Sequence, residues 1–257
     1  MPNNLLLPLG LSAVAFVAAM VDAIAGGGGL LTVPALLAVN PDPRLALGTN
    51  KAQSVFGAFS AFITFLRAGR VDRARLLPVF VSALMGSLLG VQLVLVLRPD
   101  RLRPLVLALL VFVALFFAAR GRRKGPLPAR PLAFAAQRPV LAAVGIGLSM
   151  GVYDGFFGPG TGMFLIALFV AVFGDDLSMA TANAKVSNFA SNLGSVLVYA
   201  LAGRIDYRLA LPMAAAQALG AALGARMAIR GGERVVRAGV VLISAALVAR
   251  LAWQMVG

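Results

Sequence analysis

The sequence predicts an all-α, polytopic membrane protein with two homologous halves, and its composition, its long apolar runs and an internal repeat carry that prediction. Of its 257 residues, 60% are hydrophobic and 12% are charged, and the mean hydropathy is +0.92. A chain this apolar cannot present an ordinary soluble surface. Runs such as 76 to 97 and 102 to 119 reach the roughly 20 residues that a helix needs to cross a bilayer core. They are too continuous for the alternating pattern of a membrane β-barrel.

The charged residues agree with this class. The formal net charge is +14, but the basic residues lie mostly in short loops between apolar runs, as the positive-inside rule describes. This distribution argues against a nucleic-acid partner. The chain has no cysteine and no histidine, which excludes disulfides, thiolate chemistry and imidazole proton relays. We therefore expect no metal site and no cofactor.

The two halves of the chain repeat each other. Lys51 and Lys185 stand 134 residues apart, and the same offset carries AGRVD at 68 to 72 onto AGRID at 202 to 206. Further pairs at this offset are Pro78 and Pro212, Gly86 and Gly220, Gly90 and Gly224, and Arg103 and Arg237. Duplicated halves are a common transporter plan, with the substrate site near the middle of the membrane where the halves meet.

About five membrane segments are predicted in each half. The predicted helices are 5–25, 29–40, 50–66, 74–97 and 102–119, followed by 138–154, 159–174, 182–202, 208–229 and 233–255. An odd number of crossings in each half makes the two repeats inverted. Five crossings per half also concentrate the basic loop residues on one side of the membrane more strongly than the alternative of four crossings per half. The domains are then an N-terminal repeat (1–119), a basic cytoplasmic linker (120–137) and a C-terminal repeat (138–257).

A short Gly-broken segment follows the first helix of each half. The sequences are DAIAGGGGLLTVP from residue 22 and DGFFGPGTG at 154–162. Irregular backbone at membrane depth is tolerated only where it is buried in protein or lines a cavity. Backbone amides at such a break, next to a helix N-terminus, suit an anion. The predicted donors are Gly27, Gly28, Gly29, Gly158, Gly160 and Gly162. The alternative is close helix packing, which we favour for the scattered glycines of the other helices.

Each half also has a lysine within an apolar helix, in the segments TNKAQS and NAKVSN. We predict that Thr and Asn cap these helices and that Lys51 and Lys185 lie in the first turn, where the helix dipole disfavours a cation. A bound anion would supply the missing partner, and snorkelling to the interface is the alternative. Polar residues expected to complete the site are Asn50, Gln53 and Ser54 in the first half, and Asn183, Asn188 and Ser191 in the second.

Asp22 and Asp154 are the acidic residues that lie within apolar runs. Ionisable groups in membrane segments are costly and are functional candidates. These two carboxylates could pair with the lysines and fix the fold, or they could take up protons and couple transport. The sequence leaves both roles open.

These motifs resemble the TauE/SafE family of membrane transporters, also known as sulfite exporter or DUF81-type permeases. The resemblance rests on DAIAGGGGLLTVPALL, TNKAQSVFGAFSA, YDGFFGPGTGMF and SNFASNLGS and covers nearly the whole chain. It implies a multi-pass permease of the bacterial inner membrane that moves sulfite, sulfonates or related organosulfur anions. The family's Gly-rich loops correspond to 26–29 and 158–162, and its lysine-bearing helices to those of Lys51 and Lys185. The forms AGGGG and YDGFFGPGTG are typical of a subgroup whose substrates are not assigned.

The leading hypothesis is a secondary transporter for a small anion, sulfite or an organosulfonate, coupled to an ion gradient. Its expected partners are that anion and the lipid bilayer, and the sequence is compatible with a homodimer. A passive anion channel is the alternative. An enzyme is not expected, because no nucleophile and base stand at a recognisable spacing. A Walker A loop is absent from the sequence, which argues against ATP coupling within this chain.

Overall fold

The computed structural model describes residues 3–40, 42–121 and 132–256, with side chains at 6–40, 42–116, 132–231 and 235. Throughout these ranges the regular structure is α-helical, as predicted. The helices are α1 (Asn3–Ala25), α2 (Gly29–Val39), α3 (Pro43–Arg67), α4 (Arg73–Val96), α5 (Pro99–Gly121), α6 (Ala133–Gln137), α7 (Pro139–Phe156), α8 (Thr161–Phe173), α9 (Leu177–Leu201) and α10 (Tyr207–Val256).

The two lysine-bearing helices, α3 and α9, begin earlier than predicted. In α3 the carboxylate of Asp42 accepts a hydrogen bond from the backbone amide of Arg44 at 2.9 Å, and Pro43 takes the first helical position. Asp176 caps α9 in the same way. An aspartate cap, joined in α3 by a proline in the first turn, is a stronger start signal than the Thr and Asn that we expected to act as caps. Those residues, and the lysines after them, therefore lie inside the helices.

The predicted division of the last segment into helices 208–229 and 233–255 is wrong, because α10 continues through both. Gly231 and Gly232 stand at the expected break, but no proline accompanies them. A glycine weakens a helix by about 1 kcal/mol without ending it. Of the predicted linker 120–137, residues 122–131 lie outside the described part, and residues 133–137 form α6.

The predicted short segments after Gly-rich breaks are present in both halves. α2 has 11 residues and α8 has 13, so each is about half as long as the roughly 20 residues of a full crossing. The break before α2 places Gly26 and Gly27 at φ of 74° and 108°, and the break before α8 places Gly158 and Gly160 at 92° and 84°. Such angles are readily adopted by glycine alone.

Two helix pairs pack through glycines at equivalent positions of the repeat. A Cβ atom on Gly86 or Gly90 of α4 would clash with backbone carbonyl oxygens of α7. A Cβ atom on Gly220 or Gly224 of α10 would clash with those of α1. The packing role predicted for these four glycines is confirmed, since small residues let membrane helices approach closely.

α3 and α9 run antiparallel, and the two copies of the repeated AGR loop lie at opposite ends of this pair. The amide of Asp72, just after α3 ends, donates to the Asn183 side chain near the start of α9 at 3.0 Å. The amide of Asp206, just after α9 ends, donates to the Thr49 hydroxyl near the start of α3 at 2.9 Å. The first repeat therefore presents this loop at one end of the bundle, and the second repeat presents it at the other.

The two ends of the bundle differ in how strongly they are tied. At one end, buried Arg75 bonds to Asp72 at 2.6 Å and to Asp175 at 2.8 Å, and its guanidinium lies 4.2 Å from the ring centroid of Phe173. At the other end the pair between Arg204 and Asp42 is longer, 3.4 Å, and more exposed. A buried pair with several partners is harder to separate than an exposed one.

Three helices of the described residues are long and apolar enough to cross a membrane: Leu6–Ala25, Arg73–Val96 and Pro139–Phe156. α3 and α9 are longer, with 25 residues each, but they carry polar and charged side chains on their buried faces. The apolar helices α1, α4 and α7 thus lie beside the two polar helices α3 and α9. The charged groups of α3 and α9 lie within the bundle.

We predict that Gly90→Ala destabilises the fold. The added methyl group meets the backbone of α7, and overpacking of this kind costs about 1 to 3 kcal/mol. The change is measured as a lower melting temperature in detergent. Gly145→Ala is the matched control, because a Cβ there meets nothing within 4 Å, and it should leave the melting temperature equal or slightly higher. Equal melting temperatures for both variants would contradict the packing described here.

Candidate anion-binding site

Two ion pairs cross between the halves in a reciprocal arrangement. Lys51 of the first half lies 2.9 Å from the Asp154 carboxylate of the second half. Lys185 of the second half lies 2.8 Å from the Asp22 carboxylate of the first half. Lys51 is 2% exposed and Lys185 is fully buried, so neither ammonium reaches an interface by snorkelling. Of the two roles that the sequence left open for the aspartates, the structure bears out pairing with the lysines.

Asp22 is held by groups that only donate hydrogen bonds. Its Oδ1 accepts from the backbone amides of Gly27 and Gly28, both at 3.0 Å. Its Oδ2 and its backbone carbonyl accept from Lys185 Nζ. Two of the three amides that we predicted as donors to a bound anion in this loop, those of Gly27 and Gly28, are therefore occupied by a carboxylate of the protein itself.

Asp154 is held partly by hydroxyl groups. The Thr161 hydroxyl lies 2.9 Å from Oδ1, and the Ser191 hydroxyl bonds to Oδ2, which also contacts Lys51. Tyr153, the sequence neighbour of Asp154, donates to the carbonyl oxygen of Pro159 at 2.8 Å.

A small cavity lies between these two ion pairs, where α1, α3, α9 and α10 meet the Gly-rich breaks. Its volume is about 50 Å³, which is enough for a few atoms. Both aspartates and Lys51 line it. The residues around the cavity are Ala19, Asp22, Gly27, Gly28, Gly29, Asn50, Lys51, Ser54, Gly57, Ala58, Asp154, Gly158, Gly160, Thr161, Gly162, Asn188, Asn192, Gln217 and Ala221.

Most of the predicted site residues line this cavity, but four do not: Lys185, Gln53, Asn183 and Ser191, the last of which bonds to Asp154. Lys185 lies behind Asp22, and Gln53 donates to the side-chain oxygen of Asn50 at 3.0 Å from a fully buried position. Asn183 is directed elsewhere: its amide group bonds to Asp175 at 2.9 Å and accepts from the loop after α3. Asn183 thus ties the two halves together at the end of the bundle and takes no part in the cavity.

The cavity also contains residues that the sequence reasoning did not select. Thr161, Asn192 and Gln217 line it, and all three are less than 8% exposed. Gln217 stands alone as a polar residue in an apolar stretch of α10, and such a residue within a membrane helix is a signal of function. Its isolation among apolar residues would have identified Gln217 from the sequence. Thr161 lies inside the GPGTG sequence that had already been selected for its glycines.

The cavity combines one cation with two carboxylates and several side-chain amides. Lys51 supplies a positive charge, and Asn50, Asn188, Asn192 and Gln217 supply amide groups. The side-chain oxygen of buried Asn188 has no hydrogen-bond partner within the described structure. In the part of the chain that the structure describes, clusters of three or more His, Cys, Asp or Glu that could hold a metal are absent.

Comparison with known proteins identifies the family. A profile of the sulfite exporter TauE/SafE family matches residues 11–251, which is nearly the whole chain. The chain belongs to the TauE/SafE family. The relatives in this family are described as membrane transporters. This TauE/SafE member has the apolar helices, the Gly-rich breaks and the charged pairs described above.

Several TauE/SafE relatives cover the chain almost from end to end. A probable membrane transporter protein of Haemophilus influenzae is 36% identical over 94% of this chain and 92% of its own length. The probable membrane transporter protein YfcA of Escherichia coli is 36% identical over 94% of this chain and 88% of its own. The probable membrane transporter protein ORF9 of Sinorhizobium is 35% identical over 92% of this chain and 89% of its own length. Solved structures gave no match.

Lys185→Met should destabilise the protein. The substitution removes the cationic partner of Asp22, and breaking one side of a buried ion pair costs about 3 to 5 kcal/mol. The double variant Lys185→Met/Asp22→Asn removes both charges and should recover a large part of that loss. Thermal unfolding in detergent measures both effects. A single variant as stable as the wild type would rule out a structural role for this pair.

Proposed function

We propose that this protein is a secondary transporter that moves a small anion across the bacterial inner membrane, with coupling to an ion gradient. The observation that carries the proposal is the cavity between the halves, where Lys51 and several buried amide groups converge. Sulfite or a small organosulfonate is the proposed substrate class. The family's description as sulfite exporters supports sulfite, and the bacterial relatives support the inner membrane as the location.

The proposed substrate site is built around Lys51, which lines the cavity together with its ion-pair partner Asp154. An anion that enters can contact Lys51 Nζ, the amide of Asn50 and the hydroxyl of Ser54. Asn188 faces them from the other half. Charge-assisted hydrogen bonds to an ammonium are among the strongest available to an oxyanion. Lys185 has a positioning role in this proposal, because it holds Asp22 and, through Asp22, the Gly-rich break.

The proposed transport cycle is alternating access between inverted repeats. The reciprocal ion pairs, the equivalent glycine contacts of α4 with α7 and of α10 with α1, and the opposite positions of the two AGR loops support this arrangement. In inverted-repeat transporters, one set of helices moves relative to the other around a fixed central site. The strongly tied end around Arg75 is the closed side in this proposal, and the end with the pair Arg204–Asp42 is the side that opens first.

An anion panel tests the proposed site. Sulfite, thiosulfate, sulfoacetate, taurine, acetate, phosphate and chloride are added to purified protein in detergent, and the melting temperature is measured. A ligand at 100 times its Kd stabilises the folded state by about 2.7 kcal/mol. We expect stabilisation by one class of oxyanion in the wild type and none in Lys51→Met.

The control for this test is the double variant Lys51→Met/Asp154→Asn, because Lys51→Met alone leaves a buried carboxylate without its cation. The double variant should regain stability and still not respond to the anion. An anion effect that persists in both variants would show that the ligand binds somewhere other than this cavity.

A passive anion channel is the competing function, and transport in proteoliposomes separates the two. A coupled carrier accumulates the anion against its concentration gradient when an ion gradient is imposed. A channel only equilibrates the anion, whatever the ion gradient. The small volume of the cavity favours the carrier. Rapid equilibration without accumulation would favour the channel.

A further inference from the structure

The two carboxylates of the reciprocal ion pairs are equivalent in the repeat, but their hydrogen-bond partners differ in kind. Asp22 accepts two hydrogen bonds from backbone amides, in addition to its contact with Lys185. Asp154 accepts from two side-chain hydroxyls, in addition to its contact with Lys51. A backbone amide can only donate, whereas a hydroxyl can both donate and accept.

Each of the two hydroxyls at Asp154 has a second acceptor within reach. Thr161 Oγ1 lies 2.9 Å from Asp154 Oδ1 and 2.6 Å from the carbonyl oxygen of Gly158. Ser191 Oγ contacts Asp154 Oδ2 and lies 3.2 Å from the carbonyl oxygen of Asn188. Because a hydroxyl has one hydrogen, it donates to one of these oxygens at a time. Rotation toward the backbone carbonyl turns a lone pair of the hydroxyl toward Asp154.

From this arrangement we propose that Asp154 alone is the proton-binding carboxylate of the transporter, and that Asp22 stays ionised throughout. When Asp154 takes a proton from water in the cavity, its carboxyl group donates to Thr161 or Ser191, and that hydroxyl donates onward to its backbone carbonyl. The carboxyl group and the hydroxyl that accepts from it then each keep a hydrogen-bond partner. A proton on Asp22 Oδ1 would instead face two amide hydrogens, Gly27 and Gly28, with no acceptor between them.

Protonation of Asp154 also frees the cation that the substrate needs. The carboxylate is the counter-charge of Lys51, so its neutralisation leaves an unpaired ammonium in the cavity. An anion then binds in place of the lost negative charge, and one proton accompanies one anion. This step rests on the proposed function, since it assigns the proton a part in anion transport.

The other charged groups near Asp154 do not offer an alternative proton site. Asp22 of α1 lines the same cavity but is held by its amides and by Lys185 of α9. α8 and α6 have no charged residue, and the charged residues of α4 are Arg73 and Arg75 in its first turn. On α7 itself, Tyr153 is bonded to Pro159.

Infrared difference spectroscopy tests this proposal on the purified full-length protein without any substrate. A protonated carboxyl group has its own C=O stretching band, which is recorded as the pH is lowered. The surface carboxylates contribute a background common to all variants. We expect one component of the band to disappear in Asp154→Asn and to remain in Asp22→Asn. If Asp22→Asn does not fold, Asp22→Asn/Lys185→Met takes its place.

Two outcomes would overturn the proposal: a band in Asp154→Asn identical to that of the wild type, or loss of the component in the Asp22 variants. Thr161→Val is a further check, because it removes a hydroxyl that donates to the ionised carboxylate and should move the component to a higher pH. The measurement needs no anion, so its failure leaves the proposed transport function standing. Absence of transport in proteoliposomes would remove the proposed function while leaving the infrared result valid.

Discussion

The fold depends on the reciprocal exchange of charges between the halves. Each half places a lysine in a polar helix and a carboxylate at the end of an apolar helix, and each lysine finds its carboxylate in the other half. An unpaired charge in the membrane interior costs several kcal/mol. Neither half can satisfy its own lysine through its own aspartate in this arrangement, so the two halves are required together. The charges that would destabilise each half alone therefore hold the whole bundle in one arrangement.

The rest of the architecture follows from bringing these charges together. The glycines of α4 and α10 let α7 and α1 approach closely, which carries Asp154 and Asp22 to the lysine-bearing helices. The Gly-rich breaks come directly after the aspartates and turn the chain back into α2 and α8. In the first half this break is also fastened to its own aspartate. The cavity is the space that remains where the breaks and the polar helices meet.

The sequence was sufficient for the helical class, the Gly-broken short helices and most residues of the cavity, because hydrophobic length and residue spacing report these directly. The sequence was insufficient where contacts between distant parts of the chain decide the position of a residue. The start of α3 was misplaced because Thr49 and Asn50 look like caps until Asp42 is considered. The amides of Gly27 and Gly28 were assigned to a ligand because the hydrogen bonds that they donate to Asp22 are not visible from spacing. Asn183 was placed in the site, although its partner Asp175 holds it at the end of the bundle.

In the proposed mechanism the transported anion occupies the cavity beside Lys51. The chain has no cysteine, so Ser54→Cys introduces a single thiol that lines the cavity, and Ala202→Cys introduces one in an exposed loop as the control. The rate of modification by a water-soluble thiol reagent is measured with and without the anion that proteoliposomes transport. The account predicts that this anion slows modification at position 54 and leaves position 202 unchanged. Equal rates at position 54 with and without the anion would contradict it.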